Sequence, residues 1–228
     1  MATTLAFDVY GTLIDTQGVL GLLQQMMGET AVPFSQTWRS KQLEYSFRRG
    51  LMRMYADFSV CTREALEYCC KLYQQPLNDE QKHQLMSIYA ELPAFNDVAE
   101  SLKVLKLKGY RLFAFSNGSA SAVEGLLQQA GICSFFEGVV SVEEQCSFKP
   151  DPGVYSLFHR KAETDGGPVW LISGNPFDVI GAKASGMRAA WVCRSPEAVY
   201  DPWGIEPDVT VGSLMELPTV LLPYTARG

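Results

Sequence analysis

The segment LAFDVYGTLID, residues 5–15, begins as a short apolar run and ends in a turn. Its apolar β-forming residues, followed at once by Gly11 and Thr12, predict a buried strand over TTLAFDVY, residues 3–10. Asp8 is therefore a carboxylate at the carboxyl end of a buried strand. Such an aspartate either caps the turn that follows or takes part in chemistry, and this segment alone leaves both interpretations open.

Strands and helices alternate along the chain after Phe95. Strands are predicted within residues 110–118, 135–142, 168–175, 188–194 and the tail 205–221, which ends in a short helix. Helical spacing separates them, within residues 96–109, 120–131, 151–163 and 177–186. Such alternation is typical of a parallel sheet with helices on both faces. The fold class is therefore predicted to be α/β, with a Rossmann-like parallel sheet core.

Between the first strand and this alternating part, from about residue 16 to residue 93, no convincing strand appears and three segments are predicted to be helical. Segments 35–52, 62–73 and 78–92 carry helical spacing, with Asn78 or Asp79 as the N-cap of the last one. We therefore expect a core formed by residues 1–15 and 94–228, with residues 16–93 inserted as a helical cap subdomain over the carboxyl edge of the sheet. After this insertion, Asp97 and Glu100 have capping-box spacing for the first helix of the core.

Composition excludes several classes of partner. Of the 228 residues 47% are hydrophobic and the net charge is −6, which argues against a nucleic-acid-binding surface. No apolar run of about 18 residues occurs, and MATTLAF at the start lacks the basic region of a signal peptide, so we expect no membrane association and a cytoplasmic location. The six cysteines form no C-x-x-C pair and are expected to be small buried or half-buried side chains.

Polar residues follow several of the predicted strands. In open α/β sheets the ligand site lies outside the carboxyl ends of the strands, so sequence-distant residues should meet there. Thr12 and Lys149, in the loops, complete a set of hydrogen-bonding groups around Asp8 that would keep its carboxylate ionised and aligned as a nucleophile. The residues at the strand ends are Asp8, Ser116, Asn117, Ser173 and Asn175.

Four motifs in this order resemble those of the haloacid dehalogenase superfamily: FDVYGTLID (7–15), SNG (116–118), KPDPGVY (149–155) and SGNPFDVIGAKASG (173–186). The segment WRSKQLEYSFRRGLMRMYADF, residues 38–58, is similar to the cap of the L-2-haloacid dehalogenase branch. This resemblance implies metal-independent hydrolysis of short L-2-haloalkanoic acids to D-2-hydroxy acids through an aspartyl ester. It also implies that no cofactor is needed and that the protein is a homodimer.

The resemblance assigns a role to each matching residue. Asp8 would be the nucleophile, oriented by Thr12 and Lys149. Arg39, assisted by Asn117, would receive the halide, although a surface ion pair with Glu44 is the simpler interpretation of this arginine. Asp178 would be the base for the hydrolytic water, with Ser173 and Asn175 positioning water and nucleophile. Residues expected to contact substrate are Tyr10, Ser40, Leu43, Phe58, Ser116, Tyr155 and Phe177.

Three alternatives remain open from the sequence. Phosphatases dominate the superfamily, but they carry a second aspartate two residues after the nucleophile, where this chain has Tyr10, and a Gly-Asp pair where it has Gly174-Asn175. A halide leaves without a proton, so loss of that acid suits displacement at carbon. Another 2-substituted acid, such as azetidine-2-carboxylate, could be opened by the same aspartate. The chain could also be an inactive binding module, although its intact Asp8 argues against this.

Two positions depart from the branch. Phe177 stands where many relatives carry tryptophan, and Ser40 stands where a longer polar side chain is common. Both changes would enlarge or reshape the pocket and leave the chemistry of Asp8 untouched.

Overall fold

The computed structural model describes residues 2–164 and 166–225, and within them the protein forms a parallel sheet of six strands. The spatial order is β3-β2-β1-β4-β5-β6, and every pair of neighbouring strands is parallel. This α/β architecture and each predicted strand are confirmed. The strands are β1 (Thr4–Phe7), β2 (Arg111–Ser116), β3 (Gly138–Ser141), β4 (Val169–Ser173), β5 (Arg188–Val192) and β6 (Val209–Val211).

Helices cover both faces of this sheet. Alternate residues of β1 face opposite ways, so Leu5 and Phe7 join one hydrophobic cluster and Ala6 joins the other. Strands covered on both faces read as near-continuous apolar runs, which explains why TLAF is wholly buried. The helices of this part are α5 (Val98–Leu107), α6 (Ala120–Gln129), α7 (Pro152–Lys161), α8 (Pro176–Ala184), α9 (Leu217–Val220) and α10 (Leu222–Thr225).

Four of the helices that lie between β1 and β2 pack around a third hydrophobic cluster, which includes Leu23, Phe34, Trp38 and Leu85. The first of them lies in a segment for which the sequence analysis predicted no helix, because its moderately apolar residues are preceded by no clear helix-start signal. The other three were predicted. The helices are α1 (Leu20–Met27), α2 (Ala31–Met52), α3 (Phe58–Leu72) and α4 (Asp79–Ile88).

Two predicted helix starts have different outcomes. Asn78 is confirmed as the N-cap of α4, where it forms a capping box with Gln81. The capping box of Asp97 and Glu100 is wrong, because the Asp97 side chain makes no capping hydrogen bond to α5. Its carboxylate instead accepts hydrogen bonds from Arg194, at 2.7–2.8 Å, and from Ser213 Oγ at 2.7 Å.

The cysteines are all free, and three of them, Cys61, Cys69 and Cys70, are buried. The expectation of burial is wrong for Cys146, which is exposed. Cys146 ends a short 3₁₀ turn in the left-handed conformation (φ 50°). In the described part of the chain, no helix combines the length and the apolar character that a membrane crossing requires.

Candidate active site

The register of the sheet brings the polar strand ends together. Phe7 of β1 lies opposite Ala114 of β2 on one side and Ile172 of β4 on the other. β2 continues two residues and β4 one residue beyond these partners, so the residues that follow the three strands share one edge. Asp8, the first residue after β1, is 7% exposed and sits between the loops that follow β2 and β4.

The two carboxylate oxygens of Asp8 have different environments. Oδ2 accepts hydrogen bonds from Thr12 Oγ1 at 2.8 Å, from Asn175 Nδ2 at 2.7 Å and from Ser173 Oγ at 3.2 Å. Oδ1 accepts one, from Lys149 Nζ at 3.2 Å. Three donors on one oxygen fix the carboxylate plane and leave Oδ1 the less engaged of the two. The capping interpretation of Asp8 is therefore not needed to explain its position.

Lys149 links Asp8 to a second buried carboxylate. Its ammonium also donates to Asp178 Oδ2 at 2.8 Å and to the Phe115 carbonyl at 2.8 Å, and it lies 4.1 Å from the centre of the Phe115 ring. The side chain is 1% exposed, and its ion pairs with the two carboxylates offset the cost of its burial. The Asn117 carboxamide oxygen accepts from the Lys149 amide at 2.9 Å and so anchors its backbone to the loop after β2.

Asp178 is fully buried in the first turn of α8. Burial raises its pKa to about 6, against the lowering effects of Lys149 and of the Tyr155 hydroxyl, while the nearby charge of Asp8 raises it further. Tyr155 donates to Asp178 Oδ1 at 2.8 Å, and burial raises the pKa of this phenol well above its usual value. A carboxyl with a pKa near the working pH has the property required of a general base.

Arg39 reaches the site from α2. Its Nη1 donates to Gln42 Oε1 at 2.6 Å, and its Nη2 points to the Tyr10 carbonyl at 3.4 Å. The alternative ion pair with Glu44 is wrong, because Glu44 pairs with Lys41 and Arg48 on the outer side of the helix. Burial lowers the pKa of Arg39, whereas Tyr89, Asp8 and Tyr10 nearby raise it.

A cavity of about 140 Å³ lies where α2, α3 and α4 meet the loops after β1 and β2. Tyr10 and Phe58 both line it and pack against each other, with ring centroids 6.2 Å apart. Burial raises the pKa of the Tyr10 phenol to about 12, so this ring stays neutral. The lining residues are Tyr10, Gln42, Asp57, Phe58, Ser59, Thr62, Met86, Tyr89, Ala90, Gly118, Ser119 and Ala122.

Five of the seven residues expected to contact substrate do not line this cavity, among them Tyr155, which is buried against Asp178. Ser40 is exposed on α2. Leu43 packs against the cluster on the Ala6 side of the sheet. Phe177 stacks edge-on against Phe47 of α2, with centroids 5.0 Å apart. Ser116 is buried beside the cavity, where its hydroxyl oxygen accepts from the Gly118 amide at 3.1 Å.

Sequence reasoning missed several lining residues. Gln42 stands three residues after Arg39, so helical spacing already places both on one face of α2. Tyr89 and Met86 carry no comparable signal, because they come near Tyr10 only through the packing of α4 on α3 and of Tyr89 on Trp38. Among the described residues, no group of three or more His, Cys, Asp and Glu side chains is arranged to hold a metal ion.

Fold and site together define an α/β enzyme with a buried, hydrogen-bonded aspartate at the carboxyl edge of the sheet and a small cavity with both aromatic and polar lining residues. Comparison with known proteins specifies the family. The haloacid dehalogenase-like hydrolase family matches residues 2–186. The chain belongs to this family.

Relatives cover nearly the whole chain. It is 34% identical over 224 residues to an (S)-2-haloacid dehalogenase of Pseudomonas sp. (strain YL), covering 98% of this chain and 95% of that protein. It is 34% identical to haloacetate dehalogenase H-2 of Moraxella sp. (strain B), covering 91% and 92%. The solved L-2-haloacid dehalogenase of Xanthobacter autotrophicus with chloropropionic acid covalently bound superposes with a TM-score of 0.90 at 31% identity, covering 99% and 100%.

Proposed function

We propose that this chain is an (S)-2-haloacid dehalogenase that hydrolyses short L-2-haloalkanoic acids to D-2-hydroxy acids and halide. The observation that carries the proposal is the asymmetric binding of Asp8, with three donors on Oδ2 and a single contact, to Lys149, on Oδ1. The relatives named above act on 2-haloacids or haloacetate by their names, and one of them holds chloropropionic acid covalently. That covalent adduct supports an ester intermediate.

The first step is displacement at carbon. Asp8 Oδ1 attacks C2 of the substrate from the side opposite the halogen, the C–O bond forms as the C–halogen bond breaks, and the centre inverts. The leaving halide takes the bonding electron pair and needs no proton, which is why Tyr10 can replace an acid. Arg39, assisted by Asn117, receives the halide, since a half-buried guanidinium stabilises charge that develops on a leaving anion.

The substrate carboxylate binds at the start of α6. The first N–H groups of a helix lack intrahelical partners and favour anions, and Gly118, Ser119 and Ala122 line the cavity here. The Ser116 hydroxyl oxygen accepts the Gly118 N–H, so its own proton is available to the carboxylate. Tyr10 and Phe58 form the apolar wall against the substrate's carbon chain.

The second step is ester hydrolysis. A water attacks the Asp8 carbonyl carbon, passes its proton to Asp178, and the C–O bond to the aspartate breaks, which releases the 2-hydroxy acid after protonation of its alkoxide. An oxyanion forms on Oδ2 in this step. Thr12, Ser173 and Asn175 stabilise it, because all three already donate a hydrogen bond to this oxygen. Lys149 keeps both carboxylates aligned.

We further propose that residues 16–93 act as a cap over a core of residues 1–15 and 94–228. The separate hydrophobic cluster of α1–α4 and the position of the cavity between these helices and the sheet edge support this division. This cluster is separate from the two that flank the sheet, and the cap contributes only Phe58, Cys61 and Leu92 to the described buried residues of those two. Limited proteolysis should release fragments that end near residues 15 and 94.

We also propose a homodimer in the cytoplasm. Leu51, Met52 and Met54, at the end of α2, expose large apolar side chains that a second copy would cover. Sedimentation equilibrium should give twice the chain mass, and a monomer at micromolar concentration would contradict the dimer. Six free cysteines suit a reducing compartment, and cell fractionation checks the location.

Halide release from L- and D-2-chloropropionate, with excess chelator present, tests the function. Release from the L isomer alone, abolished by Asp8→Asn, is the expected result, because the amide is a poor nucleophile. Single turnover in H₂¹⁸O should place the label in the peptide containing Asp8 and leave the first product unlabelled. Mg²⁺-dependent phosphate release with no halide release would instead establish the phosphatase alternative. Ring opening of azetidine-2-carboxylate without halide release would identify the other 2-substituted acid.

A further inference from the structure

We propose that Gln42 is the positioning residue that aims the Arg39 guanidinium at the leaving halide, and that Thr62 fixes the orientation of Gln42. This inference rests on the proposed dehalogenase function. Gln42 is 1% exposed and lines the cavity. A buried carboxamide must satisfy both its oxygen and its nitrogen, and here each end has a short hydrogen bond.

The direction of these hydrogen bonds is set from α3. The Thr62 hydroxyl donates to the Phe58 carbonyl at 2.9 Å, so its single proton is used there. Its oxygen can therefore only accept from Gln42, at 2.6 Å, which turns the Gln42 nitrogen toward Thr62. The carboxamide oxygen then faces Arg39 and accepts from Nη1 at 2.6 Å.

This chain of hydrogen bonds restrains the guanidinium. Nη1 donates a hydrogen bond to Gln42, and Nη2 lies 3.4 Å from the Tyr10 carbonyl oxygen. A guanidinium has five N–H donors, so the contacts seen in the described part of the chain leave donors for an anion. Because Gln42 is neutral, it orients Arg39 without cancelling its charge, as a carboxylate at this position would.

A residue that positions the Arg39 guanidinium should affect the rate of ester formation more strongly for substrates with poor leaving groups than for substrates with good ones. Chloride departs less readily than bromide, so ester formation from a chloro substrate depends more on stabilisation of the developing anion. Loss of a hydrogen bond to a charged group corresponds to a rate change of about tenfold or more. A general packing defect would instead slow chloro and bromo substrates equally.

The experiment compares kcat/KM for L-2-chloropropionate and L-2-bromopropionate, since this constant includes ester formation and excludes ester hydrolysis. In Gln42→Met we expect kcat/KM for the chloro acid to fall about tenfold and the bromo-to-chloro ratio to rise about threefold or more. Thr62→Val should raise the ratio in the same direction, whereas Thr62→Ser, which keeps the hydroxyl, should restore it. Gln36→Met, the same change at an exposed position of α2, is the control and should leave both constants unchanged.

An unchanged ratio in both Gln42→Met and Thr62→Val, beside an active wild type, would overturn the positioning role and leave the dehalogenase function intact. Absence of halide release in the wild type would instead show that the proposed function itself is wrong. If Gln42→Met does not fold, the Thr62→Val and Thr62→Ser pair decides the matter, because valine and threonine have nearly the same shape.

Discussion

Tyr10 occupies the position two residues beyond Asp8, where a phosphatase of this superfamily would place its general acid. Its ring lines the cavity, and its carbonyl accepts from Asn175 Nδ2 at 3.0 Å and faces Arg39 Nη2. With its pKa raised to about 12 by burial, the phenol stays neutral at physiological pH. This residue therefore contributes a wall and a backbone acceptor, which suits the displacement of a group that leaves as a stable anion.

The pH dependence of ester hydrolysis should follow Asp178. In the free enzyme burial raises its pKa to about 6, and the negative charge of Asp8 contributes to that rise. Esterification removes the charge of Asp8, so the pKa of Asp178 falls in the intermediate. A base must be deprotonated, and the hydrolysis rate should therefore rise with pH and level off at or below about pH 6. Single-turnover measurements of product release across pH 4–8 check this.

Tyr155→Phe should move that acid limb to higher pH. The hydroxyl donates to the charged form of Asp178, which lowers the pKa of the carboxyl, so its removal raises the pKa. On the acid limb the hydrolysis rate should fall about threefold, which corresponds to half a pKa unit. Tyr200→Phe removes a hydroxyl from the Ile205 carbonyl, a contact that does not involve Asp178, and is the control. If the acid limb of the hydrolysis rate lay at the same pH in Tyr155→Phe and Tyr200→Phe, the role of Asp178 would be contradicted.

At the scale of elements, Arg194 ties the end of β5 to the start of α5 and to the turn after β1. It donates to both Asp97 oxygens at 2.7–2.8 Å and to the Thr12 carbonyl at 2.7 Å, and lies 4.1 Å from the Phe95 ring centre. Burial raises the pKa of Asp97, but hydrogen bonds from Arg194, Ser213 and the Leu214 amide outweigh it and hold the pKa below its usual value.

Arg194→Gln should lower the free energy of unfolding by about 2 kcal/mol, because paired charge-assisted hydrogen bonds are lost in a mostly buried site. Denaturant unfolding at pH 7 measures this. A group with a lowered folded pKa stabilises the protein above its unfolded pKa, so the difference from wild type should shrink below about pH 4. Arg188→Gln, at an exposed arginine of β5, is the control with a smaller expected loss. Equal losses would contradict the importance of the Asp97 contact.

At the scale of the whole molecule, the site exists because four helices lie over the edge of the sheet. Phe47 of α2 packs on Phe177 at the start of α8, and Tyr10 faces Phe58 of α3, so aromatic contacts join the two parts. The cavity between them, about 140 Å³, is small, and we expect preference for short acids. The helices thus set substrate size, and the sheet edge sets the chemistry.

Met86→Ala should extend the range of substrates, because Met86 of α4 lines the cavity and its truncation gives room for a longer carbon chain. We expect the ratio of kcat/KM for L-2-chlorohexanoate to that for L-2-chloropropionate to rise about tenfold. Steady-state kinetics with both acids measures the ratio. Met215→Ala, at an exposed methionine near the end of the chain, should leave it unchanged. If the ratio does not change in Met86→Ala, other residues that line the cavity limit the length of the substrate's carbon chain.

Local patterns were sufficient for most elements and insufficient for side-chain partners. Every strand of the sheet could be predicted, since buried parallel strands are short apolar runs bounded by turns. Helix α1 was missed, and Asp97 was assigned to a capping box that it does not form. A capping signal depends only on residues that are close in the sequence. Asp97 instead pairs with the cationic side chain of Arg194, which is almost a hundred residues away.

The sequence by itself determined the α/β class, the helical segment between β1 and β2, and the polar residues at the strand ends around Asp8, because period and turn chemistry are local properties. Only the tertiary structure decided which Asp8 oxygen is engaged by Thr12 and Asn175, that Lys149 bridges two carboxylates, and that Gln42 rather than Ser40 lines the cavity. Hydrogen bonds and burial depend on distances between residues far apart in the chain, and these are fixed by packing of the helices on the sheet.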